Sequence, residues 1–167
     1  MALLCVLGDE SLCALIKRLC ACAISVNTTV NFKIRDADNL NPHIAPDILV
    51  VSEGFNCRNY SRIFLGAKYL IIPIDKDVMQ NAVDCDGLII TYGFNSKVCV
   101  TASSMAGRQA QICVQRDIPT LRGKVEQQEF PVNINPMMVR PPDILAAVAA
   151  ALVAGVEVDV LNTVTAE

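Results

Sequence analysis

Four short, nearly uninterrupted runs of apolar residues recur along the first part of the chain, at residues 3–7, 47–51, 69–74 and 87–92. A strand with one solvent face alternates apolar and polar positions, whereas a continuous apolar run is typical of a parallel strand that is buried on both faces. The pattern therefore predicts four strands of a parallel sheet. A β-branched stretch at residues 26–34 is predicted to be a further strand.

Helical patterns separate these strands. Residues 9–25 carry apolar side chains at helical spacing, and Asp9 occupies the position of an N-cap. Shorter helices are predicted at residues 59–65 and 77–83. Residues 36–46 are predicted to form a loop because they are polar and contain two prolines.

The pattern changes in the second half of the chain. Short extended stretches at residues 98–102, 111–115 and 121–135 are separated by turn residues, which predicts an antiparallel extension of the sheet. The last helix is predicted at residues 143–154, after two prolines and before Gly155. It is apolar all round, so we expect it to be buried.

Together these elements predict an α/β fold with three layers. We expect a mostly parallel, Rossmann-like sheet with helices on both faces and an antiparallel β extension in the C-terminal half. A length of 167 residues fits a single domain. We assign that domain to residues 1–157 and expect residues 158–167 to be a C-terminal tail or a short edge strand.

Composition narrows the class of protein. Hydrophobic residues make up 53% and charged residues 19% of the chain, which excludes extensive disorder. The net charge of −3 argues against nucleic acid as a partner. No apolar stretch reaches the roughly 20 residues of a membrane span, and the N-terminus lacks a basic leader, so we expect a cytoplasmic protein without a membrane partner.

Eight cysteines and a single histidine limit the metal and redox chemistry. Most of the cysteines lie inside apolar runs, where a thiol behaves as a small hydrophobic side chain, so we expect buried free thiols. Disulfides or a metal site stay open as alternatives, although no CxxC pair is present. His43 lies in the predicted loop and is interpreted as a solvated residue; we expect no metal and no cofactor.

Several segments, taken in order, resemble the central domain of the Mur ligases, a superfamily that includes the folylpolyglutamate synthetases. They are DILVV (47–51), YLIIPID (69–75), LIITYG (88–93) and the alanine-rich LAAVAAALVAG (145–155). The resemblance spans residues 45–157. It implies an α/β scaffold of enzymes that use ATP to join amino acids to a carboxylate.

The chain departs from that family where the family binds ATP. The family's first strand leads into a phosphate-binding loop that ends in Gly-Lys-Thr or Gly-Lys-Ser, whereas this strand leads into Gly8, Asp9, Glu10 and Ser11. The family's alanine-rich helix opens with a His-Asn and a further Asn near adenine, and the matching positions hold Val139, Arg140 and Asp143.

The family's magnesium ligands, its carbamylated lysine and its flanking domains have no match that can be placed. The resemblance therefore implies a degenerate relative without a phosphate-binding loop, and ATP-dependent ligation is not expected.

Any ligand site is expected where the parallel strands end, because open α/β sheets bind ligands outside the carboxyl ends of their strands. Four turns would form one rim there. The candidate residues are Gly8, Asp9, Ser11, Ser52, Glu53, Asp75, Lys76, Asp77, Gly93, Asn95 and Lys97. Each also has a purely structural interpretation, as a helix cap, a turn residue or a solvated charge.

These observations favour a non-catalytic module that acts by binding or self-association as a homo-oligomer or with a protein partner. The family resemblance alone suggests bacterial cell-envelope or spore biology. The alternative is a small nucleotide- or metabolite-binding enzyme or sensor, with Asp75, Asp77 or Glu53 as acid, base or metal ligand. That alternative requires a concave pocket with a strongly shifted pKa. A purely structural subunit is the third interpretation.

Overall fold

A computed structural model describes residues 2–24, 32–36, 45–58 and 60–166. The predicted loop around His43, and most of the segment before β2, lie outside the described residues. The elements in chain order are β1 (Ala2–Leu7), α1 (Glu10–Ile24), β2 (Phe32–Asp36), β3 (Ile48–Val51), α2 (Ser61–Gly66), β4 (Tyr69–Pro73), α3 (Lys76–Ala82), β5 (Leu88–Tyr92), β6 (Val100–Ala106), β7 (Gln109–Val114), β8 (Ile118–Thr120), β9 (Gly123–Val125), β10 (Gln128–Ile134), α4 (Pro141–Ala154), α5 (Val158–Thr163) and β11 (Thr165–Ala166).

The first five strands form a parallel sheet in the order β2-β1-β3-β4-β5. Every residue of β3 is buried, as the uninterrupted apolar run predicts. Because all five strands run in the same direction, the turns that follow β1, β3, β4 and β5 lie at one edge of the sheet.

The second half of the chain extends this sheet. β6 joins β5 in parallel through the single pair Tyr92 and Val100, and β7 then pairs antiparallel with both β6 and β10. β11 adds a parallel edge strand beside β10, and β8 and β9 form a separate antiparallel pair. The predicted fold class, a mostly parallel Rossmann-like α/β fold with an antiparallel extension, is confirmed.

The sheet buries two apolar layers. On one face, the alternate residues Leu4, Val6, Ile48 and Val50 pack in a core cluster with residues of α1, α4 and α5. On the other face, the intervening residues of the same strands pack against α2 and α3. The strands β1 and β3 are apolar at every position because each face of the sheet has its own helices to cover it.

Helix α4 is the most deeply buried element. All residues from Asp143 to Ala154 are buried, so the prediction from its apolar circumference is confirmed. Its alanines allow close approach to α1 and to the strands beneath it. The helix ends at Gly155, whose φ of 94° is left-handed and whose N–H donates to the carbonyls of Ala151 and Leu152.

The last segment forms α5 and the edge strand β11 where a tail or a short edge strand was predicted. Leu161 of α5 is fully buried in the larger core cluster. All eight cysteines are free thiols, and five of them are buried. None of the helices within the described ranges is long and apolar enough to cross a membrane.

Candidate functional site

The turn between β1 and α1 is closed by its own carboxylate. Asp9 stands directly before α1, and its Oδ1 accepts hydrogen bonds from the Leu12 backbone N–H at 3.0 Å and from the Ser11 hydroxyl at 2.7 Å. These bonds, that of the Ser11 hydroxyl foremost, hold the pKa of the Asp9 carboxyl below its usual value. The negative charge is also favourable at the positive end of the helix.

Gly8 brings this turn into direct contact with the end of β3. A Cβ at Gly8 would lie 2.9 Å from the Cβ of Ser52 and 3.3 Å from a methyl group of Leu12. The Ser52 backbone N–H donates to the carbonyl of Leu7 at 2.8 Å, which fixes the two strand ends side by side. The space above Gly8 is therefore occupied by the chain itself.

The first turn of α4 completes this part of the strand edge. The Ser52 hydroxyl donates to Asp143 Oδ1 at 3.3 Å, and both residues are buried. Arg140 Nε lies 3.8 Å from Asp143 Oδ2, and Arg140 Nη2 lies 3.8 Å from Glu53 Oε2. We call Asp9, Ser52, Glu53, Arg140 and Asp143 the closed cluster.

The carboxylate of Asp143 is only partly compensated within the closed cluster. Asp143 Oδ2 is buried and accepts no hydrogen bond. Burial raises the pKa of the Asp143 carboxyl above its ordinary value, and the nearby Arg140 opposes that shift only in part. Three carboxylates face one guanidinium, so the cluster repels further anions.

Tyr92, at the end of β5, contacts the end of β3 next to the closed cluster. Its ring is buried, and its hydroxyl donates to the carbonyl of Val51 at 2.7 Å. Burial, together with the charge of Asp143, raises the pKa of the phenol. Tyr92 therefore stays a neutral hydrogen-bond donor that ties β5 to the end of β3.

A cavity of about 410 Å³ opens beside the closed cluster, on the α2 and α3 side of the sheet. It is lined by residues 54–58 from the loop after β3, by Asp75 after β4 and by Asn81 of α3. Its volume falls within the roughly 300–1,000 Å³ of small-molecule pockets. We call it the strand-end cavity.

The turn after β5 holds the sheet extension together. The Asn95 side chain accepts the Lys97 backbone N–H at 2.8 Å. The backbone carbonyls of these two residues accept hydrogen bonds from the side chains of Gln115 and Arg116. Gly93 has a φ of 148°, and a Cβ there would meet only ordinary contacts.

The predicted rim is thus divided into three parts. Gly8, Asp9, Ser11, Ser52 and Glu53 lie in or beside the closed cluster, and Asp75 lines the strand-end cavity. Gly93, Asn95 and Lys97 form the turn into the extension. Of Lys76 and Asp77 only the backbone is described, at the start of α3.

Sequence reasoning left several residues out of the rim. Arg140 and Asp143 stand in the sequence at positions that match the adenine-side residues of the Mur ligases, and the predicted rim does not include them. Arg58 and Asn81 have no local signal in the sequence, because they line one cavity only in the folded chain. Within the part of the chain that the structure describes, no three histidine, cysteine or acidic side chains are grouped to hold a metal ion.

No protein-family model and no curated protein matches the chain. Solved structures do match. One is UDP-N-acetylmuramoylalanyl-D-glutamyl-2,6-diaminopimelate–D-alanyl-D-alanyl ligase from Acinetobacter baumannii, with a TM-score of 0.64 and 14% identity over 100% of this chain and 47% of that one. Two crystal structures of MurF from Acinetobacter baumannii match with TM-scores of 0.58 and 0.60 and 14% identity over 99% of this chain and 45% and 46% of theirs.

The chain therefore spans about half the length of the solved structures that it matches. At this identity the likeness shows the fold alone, and the predicted Mur ligase-like fold is confirmed.

Proposed function

We propose that the chain is a degenerate, non-catalytic Mur ligase-like module that acts by binding and does not transfer phosphate. The observation that carries the proposal is the position of the Asp9 carboxylate, which accepts the Leu12 N–H at the start of α1. Phosphate-binding loops present such N–H groups to a phosphate oxygen. Here a carboxylate of the chain takes that place.

Two further features support the exclusion of a triphosphate. The turn has one glycine, and contact between Gly8 and Ser52 fills the space where the backbone would have to open around a phosphate. Glu53 and Asp143 add negative charge close to the same turn, with Arg140 as their shared cation. Phosphoryl transfer requires the opposite field, supplied by lysine, arginine and magnesium.

Calorimetric titration with Mg-ATP tests this proposal directly. We expect no saturable heat at micromolar to submillimolar nucleotide, while a Mur ligase titrated under the same conditions gives a clear isotherm. The variant Asp9→Gly should restore at most weak binding, because Glu53 and Asp143 stay in place. A saturable isotherm with the wild-type chain would overturn the proposal.

The strand-end cavity supports a second candidate, a metabolite-binding protein or sensor. Asp75 lines a concave space at the position where open α/β sheets hold ligands. The nucleotide form of this candidate is disfavoured by the carboxylates of the adjacent closed cluster. Replacing Asp75 with Asn should weaken ligand binding in this candidate and should change nothing if the chain acts only as a structural subunit.

The biological setting is proposed from the solved relatives. One of them is named as a UDP-N-acetylmuramoylalanyl-D-glutamyl-2,6-diaminopimelate–D-alanyl-D-alanyl ligase, and on this likeness we propose a role in bacterial cell-envelope or spore biology, with the chain in the cytoplasm. We further propose that the chain forms a homo-oligomer or binds a protein partner. Light scattering coupled to size-exclusion chromatography tests the first possibility, and a mass that stays at 18.1 kDa across a hundredfold range of concentration contradicts it.

A further inference from the structure

We propose that two copies of the chain associate about a two-fold axis through an apolar surface at the outer edge of β5. This surface consists of Met79, Val83, Leu88 and Ile89, and we call it the β5 edge surface. The inference rests on the proposed self-association and specifies its surface and its partner, a second copy of this chain.

The four side chains of the β5 edge surface are apolar and exposed. Val83 is 77% exposed, Leu88 47%, Ile89 38% and Met79 36%. Side chains of this size at these exposures amount to several hundred Å², the size at which an apolar patch on a monomer marks an interaction site. With the polar side chains around it, the surface approaches the roughly 800 Å² per partner that a specific interface buries.

The orientation of α3 brings two of these side chains to the outer edge of the sheet. Val78 and Ala82 pack into the core beneath the helix. Asn81 lies on the flank that lines the strand-end cavity, beside the loop after β3. At 3.6 residues per turn, Met79 and Val83 lie on the opposite flank, which faces away from β3 and towards β5.

The start of β5 supplies the other two side chains. Ile89 pairs with Leu70, which belongs to the core cluster under α3, so Ile89 lies on the same face of the sheet as that helix. Leu88 pairs with Tyr69, which packs against the core cluster on the α4 face. The edge of β5 is therefore apolar and exposed on both faces.

The backbone of β5 is also open on this side. β6 joins β5 through a single residue pair, and the segment before β6 donates the Cys99 N–H to the Thr91 carbonyl at 2.9 Å. Nearer the start of the strand, the Leu88 N–H donates to the Lys68 carbonyl at 2.8 Å. Because bonding directions alternate along a strand, the N–H and C=O of Ile89 point to the outer edge. An exposed apolar strand edge is a template for pairing with another chain.

The charges at the two ends of β5 favour a second copy as the partner. Asp84 and Asp86 directly precede the strand, and Lys97 and Arg116 lie at the turn that follows it, where Arg116 Nη2 donates to the Lys97 carbonyl at 2.9 Å. All four side chains are exposed, and Asp117 beside Arg116 has an ion pair of its own. When two β5 strands run antiparallel across a two-fold axis, the acidic residues of each copy face the basic residues of the other. The surface thus carries its own complement.

Analytical ultracentrifugation of the full chain from micromolar to submillimolar concentration tests the inference. We expect a concentration-dependent equilibrium between one and two chains. Val83→Glu should raise the dissociation constant of the dimer at least tenfold, because the new carboxylate would be buried against apolar side chains of the partner. Met137→Glu is the matched control, since it places the same charge at an apolar side chain that is 91% exposed in the turn before α4, and it should leave the constant unchanged.

A charge exchange tests whether the partner is a second copy in the two-fold arrangement. Asp86→Lys and Lys97→Glu should each weaken the dimer severalfold, with the larger effect at low salt. The double variant should recover most of the loss, because each end again faces a charge of opposite sign. A double variant that binds no better than the single variants contradicts the arrangement.

A single-chain mass at every concentration overturns the inference, and so does a dimer that Val83→Glu leaves intact. Equal urea midpoints of Val83→Glu and Met137→Glu, measured where both are single chains, verify that loss of the dimer is not loss of the fold. A dimer that survives Val83→Glu would leave the proposed self-association standing. Mg-ATP binding would overturn the non-catalytic proposal whatever the oligomeric state.

Discussion

The closed cluster and the strand-end cavity lie side by side at the same edge of one sheet, yet one is filled and the other is open. In the closed cluster Asp9 caps α1, Gly8 contacts Ser52, and Arg140 lies between Glu53 and Asp143. In the cavity a loop with internal hydrogen bonds stands away from α3 and leaves about 410 Å³ free. Whether there is space for a ligand at this edge of the sheet thus depends on the local side chains and not on the fold, which both regions share.

The largest expected difference between the two regions comes from adding one methyl group to each. Gly8→Ala should lower the free energy of unfolding by about 1–3 kcal/mol, because the new Cβ would lie 2.9 Å from Ser52. Gly54→Ala should cost about 1 kcal/mol, through its positive φ alone, because no atom lies within 4 Å of the added group. Urea denaturation of both variants measures this, and equal costs would contradict the tight packing of the closed turn.

Removing the helix cap should have the next largest effect. Asp9→Ala is expected to cost about 1 kcal/mol at neutral pH, because the Leu12 N–H loses its acceptor. The pKa of Asp9 is lowered by folding, so its stabilisation is present above the unfolded value of about 3.9 and is lost as pH falls through the folded value. The gap between wild type and variant should therefore close in acid. A gap that persists at pH 2 would show that the carboxylate is not the cause.

The ionisation of Asp143 should affect the free energy of unfolding in the opposite direction to that of Asp9. Its pKa is raised by burial, so the ionised form destabilises the fold, and stability falls as pH rises from about 4 through the folded value. Asp143→Asn should therefore stabilise the protein by about 1 kcal/mol at neutral pH, because no buried charge is left partly unpaired. Below pH 3 variant and wild type should converge. Glu126→Gln is the control for removal of any one carboxylate, because Glu126 is exposed and its ion pair with Lys124 lies at the surface.

The scaffold could be predicted from the sequence because it depends on local patterns. A few neighbouring residues are enough to identify the apolar runs of β1, β3, β4 and β5, and the same holds for the alanine-rich α4 with Gly155 after it. Asp9 was predicted as a cap on the same basis. The contact between Ser52 and Asp143 joins residues 91 positions apart, and no local pattern encodes it. The cavity could not be predicted from the sequence either, because Arg58 and Asn81 come to line it only once the chain is folded.

The smallest expected effect separates the two contacts of Arg140. Glu53 is about half exposed, so Glu53→Gln should cost well under about 1 kcal/mol, as surface ion pairs do. Arg140→Met also removes the only cation beside Asp143 among the described ion pairs, so the pKa of Asp143 should rise further and the variant should lose more stability at neutral pH than Glu53→Gln. In the background of Asp143→Asn the two variants should cost the same, which a double-mutant cycle measures. An unchanged difference in that background would mean that Arg140 acts through packing of its aliphatic stem and that the buried carboxylate is held without it.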